Sequence, residues 1–341
     1  MNYDYAIIIR SKTRLEVLNE RFNTNQQVQF YLERNNVNYD AYQEEHDNFY
    51  RALDKLCLVL SNRIKYKVID RSFISSFIFS PKHLIIAIGQ DGLVANTAKY
   101  ANGQPIIGVN PDPLRYDGIL LPYNKDTVHQ ALDNALSTKA STINVTMAAA
   151  KFSDGQELLA FNDFFIGAAT HTSARYKIQF NQQTEQHSSS GIIVSTGAGS
   201  TGWLSSLYNM QRGLNDLMGM GKKKARKPQN NELAWDAEEL VFIVREPFLS
   251  RASGIDIISG RINAMNPLEL ESMMPNNGVV FSDGIEKDFI RFNSGTSVSI
   301  GVSNKKAAIV MEPSMIAARQ TPDDKFSKMP MGKRSKFKSF K

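Results

Sequence analysis

The sequence predicts two domains in series: an α/β domain with a parallel sheet over residues 1–137, then a β-rich domain over 138–318. Three observations predict it. Short apolar runs alternate with segments of helical period up to residue 137, the pattern of strands joined by crossover helices. From residue 142 onward helical segments become few and short apolar runs recur between turn residues, as in a β-rich domain. The run Leu84-Ile85-Ile86-Ala87-Ile88 is apolar throughout and ends at Gly89, so it reads as a strand buried on both faces. A chain of 341 residues is long enough for two such units and a sizeable core.

In chain order, residues 5–10 read as the first strand and 14–60 as a polar, helix-rich stretch. Within it Phe49, Leu53, Leu56 and Leu60 recur at helical spacing. A short strand is expected at 66–69, and the apolar stretch 73–79 has no clear period. The central strand 84–88 leads into a helix-compatible segment, 93–100, and 105–109 is a further buried strand. It runs into Asn110-Pro111-Asp112-Pro113, whose prolines force an extended or turning path. A helix at 127–136 carries Val128, Leu132 and Leu136 on one side. In the second domain, strands are expected at 142–148, 158–161, 164–166, 173–180, 191–196, 240–245, 278–281, 289–292, 297–302 and 307–311, with one clear helix at 205–218. Residues 219–231, with Lys222, Lys223, Lys224, Arg226 and Lys227, form a charged insert.

Composition narrows the function classes. Hydrophobic residues make up 42% and charged residues 22%, a globular balance. The single cysteine, Cys57, excludes a disulfide framework or a cysteine zinc site within one chain and fits core packing. No apolar run approaches the length of a membrane span, and the first residues lack a basic region and a signal-type apolar core, so a cytoplasmic protein is expected. The net charge of +6 is concentrated at the end: residues 319–341 hold eight basic and two acidic side chains. The folded body is therefore near neutral, which argues against a nucleic-acid groove, and the tail reads as a solvated, disordered end, with contact to RNA, DNA or an acidic partner as the minority reading.

Two stretches carry the chemistry. In the first, strand 84–88 ends in Gly89-Gln90-Asp91-Gly92 and a helix follows. Ligands of open α/β sheets bind at the carboxyl ends of strands, and glycines there admit a phosphate close to the backbone amides. Asp91 is the one group in that turn able to take a proton; a plain capped strand–helix turn is the bland alternative. In the second, strand 191–196 runs into Gly197-Ala198-Gly199-Ser200-Thr201-Gly202-Trp203, offering amides, hydroxyls and a stacking face. A flexible Ser/Gly turn explains it equally. Asn162 and Asp163 sit between apolar strand residues, where a polar pair needs partners from the protein or from a ligand.

At these residues the chain resembles the NAD kinase family. The family's Gly-Gly-Asp-Gly-Thr signature stands here as Gly89-Gln90-Asp91-Gly92-Leu93. Its Thr-Pro-Thr-Gly-Ser-Thr-Ala-Tyr signature stands as Thr196-Gly197-Ala198-Gly199-Ser200-Thr201-Gly202-Trp203, and its Asn-Glu pair as Asn162-Asp163. The resemblance is greatest to the mitochondrial-type branch, through Gly108-Val109-Asn110-Pro111-Asp112-Pro113, Ser189-Ser190-Gly191 and Arg245-Glu246-Pro247. It implies the two-domain fold with a nucleotide between the domains, a homodimer, and ATP- and Mg²⁺-dependent phosphorylation of the adenosine ribose 2′-hydroxyl of NAD. It implies Asp91 as general base and Gly89 and Gly92 as the cradle of the donor phosphates. Asn162 and Asp163 would hold the NAD, and Ser200, Thr201, Gly202 and Trp203 would line its adenosine end, with Ser206 one turn on.

Three positions depart from the pattern. Gln90 replaces a glycine, and if that position needs a positive φ the side chain costs about 1–2 kcal/mol. Leu93 replaces a threonine and so removes a hydroxyl from the phosphate loop, while Ser190 replaces an aspartate of the bacterial branch. Restoring glycine and threonine at 90 and 93 is accordingly expected to raise turnover. Gln90 and Leu93 keep in view a non-catalytic nucleotide-binding protein on the same fold, and the Gly-Gly-Asp-Gly motif, shared with related lipid kinases, keeps such a kinase in view as a third reading.

Overall fold

The structure, a computed structural model, describes residues 3–137, 140–219, 233–313 and 315–316. The basic tail at 319–341 and nearly all of the charged insert lie outside the described residues. The chain begins with β1 (Tyr5–Arg10), α1 (Arg14–Phe22), α2 (Asn25–Arg34), α3 (Tyr39–Ser61), β2 (Lys65–Asp70), β3 (His83–Ile88), α4 (Asp91–Tyr100), β4 (Pro105–Asn110), β5 (Tyr123–Asn124) and α5 (Val128–Leu136). It continues with β6 (Thr142–Phe152), β7 (Glu157–Ala160), β8 (Asp163–Ala168), β9 (Ala174–Phe180), β10 (Gln183–Ser189), β11 (Ile192–Ser195) and α6 (Trp203–Leu217). The last elements are β12 (Leu240–Val244), β13 (Ser259–Ile262), β14 (Leu268–Ser272), β15 (Gly278–Ser282), β16 (Ile290–Arg291) and β17 (Ser297–Val310).

Strands β2, β1, β3 and β4 lie side by side in that order and run parallel. Both faces of this sheet are covered, which is why its strands read as unbroken apolar runs. Ile7, Ile9, Ile85 and Ala87 pack on the α4 side against Val94, Ala95 and Ala98. Ala6, Ile8, Leu84, Ile86 and Ile88 face Leu53, Leu56 and Leu60 of α3 and Val128, Ala131 and Leu132 of α5. Each α4 and α5 apolar stripe is thus spent on one face of one sheet.

The second half is antiparallel. One sheet runs β13-β12-β11-β8-β15-β16. Its inner residues Phe164, Ile166, Ile192, Val194, Phe242 and Val280 pack against Tyr176, Ile178, Leu268, Leu270, Val298 and Ile300 from β9, β14 and β17, giving a sandwich core. Strand β17 connects the halves. It pairs antiparallel with β6 and β14, then runs parallel to β4 through Ala308 and Ile309. The two strands expected at 297–302 and 307–311 are therefore one, with a register shift between Val302 and Lys306. Among elements the sequence pattern does not reveal, β10 is polar because it edges its sheet, with His187 and Ser189 its buried residues. The ambiguous stretch 73–79 contains a 3₁₀ turn, Arg71–Ser76, that buries Ile74.

Candidate active site

The strand order decides where a site can form. From β1 the chain moves to β2 on one side and then to β3 on the other, so the topology reverses between β1 and β3. Ligands of open α/β sheets bind in the crevice that such a reversal opens at the carboxyl ends of the strands. A cavity of about 250 Å³ lies there. It is lined by Ser11, Lys12 and Thr13 after β1, Arg71 after β2, Gly89, Gln90, Gly92 and Leu93 after β3, and Pro111 and Asp112 after β4. The acids on its wall are engaged. Glu45 pairs with Arg14, and Asp112 accepts hydrogen bonds from Asn48 at 2.9 Å and Arg115 at 3.4 Å. Lys12 pairs with Glu20 at 2.6 Å, whereas Arg71 makes no ion pair among the described residues. At Gly92 a Cβ would meet nothing within 4 Å, so packing does not demand a glycine there.

A second cavity, of about 200 Å³, opens on the other side of the same turn. Its lining includes Asp91, Leu120, Asn162, Asp163, Gly199, Thr201, Gly202 and Trp235. Asp91 begins α4, and its Oδ1 accepts the Leu120 backbone N–H at 2.6 Å. That reach depends on Gly108 in β4: a Cβ there would lie 2.0 Å from the Leu120 carbonyl oxygen. The Leu120 segment can rest on β4, and so hold Asp91, because residue 108 has no side chain.

The Asn162-Asp163 turn is fixed from two directions. The Asp283 carboxylate accepts the backbone N–H groups of Phe161 at 3.1 Å, Asn162 at 2.6 Å and Asp163 at 3.4 Å. From the other side the Thr196 hydroxyl donates to the Phe161 carbonyl at 2.6 Å and accepts the Gly199 N–H at 3.2 Å. Gly199 sits so close to this turn that a Cβ would lie 2.1 Å from the Asn162 carbonyl oxygen. The 196–202 loop and the Asn162-Asp163 turn therefore form one rigid wall facing Asp91.

Asp163 is buried, and its carboxyl is pushed up to about 7, first by loss of water and then by the neighbouring Asp283 carboxylate. The folded protein holds this proton more tightly than the unfolded chain, whose carboxyl titrates near 3.8. The contribution to stability is present in full below about pH 4 and is lost as pH rises to about 7, by at most about 4 kcal/mol. Asp163→Asn, neutral throughout, is expected to gain stability relative to wild type across that window. Thermal melts of both proteins from pH 4 to 8 check it; a difference that does not vary with pH contradicts it.

The structure gathers Asp91, Asn162, Asp163, Thr201 and Gly202 around one cavity and places Gly89 and Gly92 on the other. Ser200 is turned inward, its hydroxyl donating to the Gly197 carbonyl at 2.6 Å. Trp203 faces a third cavity of about 580 Å³, stacked on Phe165 with Arg245 over its ring, and Ser190 lines that cavity too. Ser206 is exposed one turn along α6 and lines none of these three cavities. One expectation needs correction. Gln90 has φ −104°, ordinary extended backbone, so no strain attends the missing glycine. Its side chain lies by Tyr116, whose phenol is raised by burial and lowered to a lesser extent by Gln90. Leu93 lines the donor-side cavity and also packs into the core on the α4 side, its Cδ2 3.2 Å from where a Gly89 Cβ would be. Sequence reasoning passed over Asp283, Thr196's tethering role, Arg71 and Trp235. The signals available were the Ser282-Asp283-Gly284 turn and an arginine after a predicted strand.

No described helix is long and apolar enough to cross a membrane, and the described residues contain no group of three or more His, Cys, Asp or Glu able to hold a metal ion. No protein-family model matches the chain, and no curated protein matches it in sequence. In structure it is similar to an NAD kinase from Archaeoglobus fulgidus, solved in complex with ATP, at 14% identity and a TM-score of 0.54, over 92% of this chain and 96% of that one. At that identity the likeness establishes architecture: the chain has an NAD kinase-like fold, an α/β half followed by a β-rich half.

Proposed function

We propose that the protein is an ATP-dependent NAD kinase that phosphorylates the 2′-hydroxyl of the adenosine ribose. The observation that carries this reading is the turn at residues 89–92, which has a cavity on each side. Gly89, Gln90 and Gly92 face the crevice between β1 and β3, and Asp91 faces the cavity lined by Asn162, Asp163, Thr201 and Gly202. A phosphoryl donor on one side and a hydroxyl acceptor on the other is the arrangement that in-line transfer needs, with positioning and charge neutralisation as the main work of the protein.

In this reading the donor phosphates lie against Gly89, Gly92 and the N-terminus of α4, with the Arg71 guanidinium available to them. Asn162 and Asp163 bind the ribose, and a protonated Asp163 donates a hydrogen bond near neutral pH. Asp91, held by the Leu120 amide, takes the 2′-hydroxyl proton as the new phosphorus–oxygen bond forms. Without a cluster of acidic ligands the described residues do not form a cage for Mg²⁺; a Mg²⁺ bound mainly by donor phosphates and water fits such a site and would offset the phosphate charge. A homodimer, on the resemblance, and a cytoplasmic location, the expectation drawn from the sequence, complete the proposal.

The test is NADP formation from NAD with ATP or polyphosphate as donor in the presence of Mg²⁺, with phosphorus NMR locating the new ester. The expected product carries a 2′-phosphate. NAD binding without NADP from either donor favours the non-catalytic alternative.

A further inference from the structure

Lys99 is the last charged residue of α4, two turns beyond Asp91, and its side chain is 3% exposed. Its ammonium donates to the Ser282 hydroxyl at 2.8 Å and lies 3.6 Å from the Asp283 carboxylate, itself 2% exposed. Burial lowers Lys99 and raises Asp283, while their mutual contact opposes both shifts. Asp283 has φ 54°, and its own N–H donates to the Asp163 carbonyl at 2.9 Å while its carboxylate accepts three amides of residues 161–163. The helix that presents Asp91 is thus tied to the turn that presents Asn162 and Asp163 by one buried ion pair. A buried ion pair is a weak source of stability, because desolvation offsets most of the Coulomb attraction. What it does supply is a geometry that neither element can leave without stranding a charge.

We propose that Lys99 and Asp283 are positioning residues: they fix the distance and orientation between Asp91 and the Asn162-Asp163 turn, and so set how the acceptor is held. Neither side chain lines the cavity of about 200 Å³, so each acts through the residues it holds. The kinetic part of this inference rests on the NAD kinase reading; the structural part does not.

The experiment compares wild type with Asp283→Asn, Lys99→Met and the double variant, which removes both charges and leaves no uncompensated ion. Amide hydrogen exchange at residues 161–163 is read in the ligand-free proteins, and KM for NAD and for ATP in the active ones. Expected in each folded variant are faster exchange at 161–163 and a KM for NAD raised about 10- to 100-fold, with KM for ATP within about twofold of wild type. The double variant melts closer to wild type than Lys99→Met does, yet does not recover the NAD KM. Unchanged exchange at 161–163 and unchanged KM for NAD in the folded double variant would overturn the proposal. So would equal losses for NAD and ATP, which mark a general loosening. If wild type itself makes no NADP, the kinase reading fails, and exchange at 161–163 still decides whether the ion pair holds the turn.

Discussion

Asp91→Asn is expected to lower the rate of NADP formation by about 10²- to 10⁴-fold while leaving the melting temperature and NAD affinity near wild type. The amide is almost the same shape, and its carbonyl oxygen still accepts the Leu120 N–H that anchors residue 91. What it loses is the capacity to take a proton, so the loss falls on kcat. Steady-state kinetics beside a binding titration separates the two. A near-normal kcat removes Asp91 from proton transfer, and a large rise in the dissociation constant for NAD makes it a binding group instead.

Gly108→Ala is expected to have the next largest effect, although the residue lines neither of the two cavities at the turn. The added Cβ would stand 2.0 Å from the Leu120 oxygen and 3.1 Å from the Leu121 Cα, so backbone must move. Forcing extra volume into packed surroundings costs about 1–3 kcal/mol. The segment that yields is the one whose amide holds Asp91, and misplacing a reacting group by about 1 Å can cost 10²-fold in rate. The expected outcome is a lower melting temperature and, in the protein still folded, a kcat lowered by about 10²-fold with KM for ATP little changed. A stable variant with wild-type kcat would show that Leu120 does not set the position of Asp91.

The sequence makes some of this legible and hides the rest for identifiable reasons. Strand β3 and the turn after it are readable because burial on both faces leaves an unbroken apolar run that stops at Gly89. The pairing of Asp91 with Asn162 and Asp163 was accessible through the family's motif order, since residues 71 positions apart show no local pattern of proximity. Lys99 and Ser282 are 183 residues apart, so their contact leaves no trace in either segment. Gln90 misled in the opposite direction. A glycine in the family pattern suggested a conformational requirement, but the backbone at 90 is extended and accepts any side chain. Trp203, readable as a stacking face from its place after a Ser/Thr turn, begins a helix in the structure, stacks on Phe165 and lines the cavity of about 580 Å³.

In the proposed function the turn at residues 89–92 divides a donor side from an acceptor side. Amide hydrogen exchange with each ligand added separately tests this division: NAD alone, and a non-hydrolysable ATP analogue alone with Mg²⁺. NAD is expected to slow exchange at 161–163 and 199–202, and the ATP analogue at 11–13 and 89–93. Protection of the same single set of residues by both ligands, or protection by NAD confined to the Trp203 cavity, would contradict it.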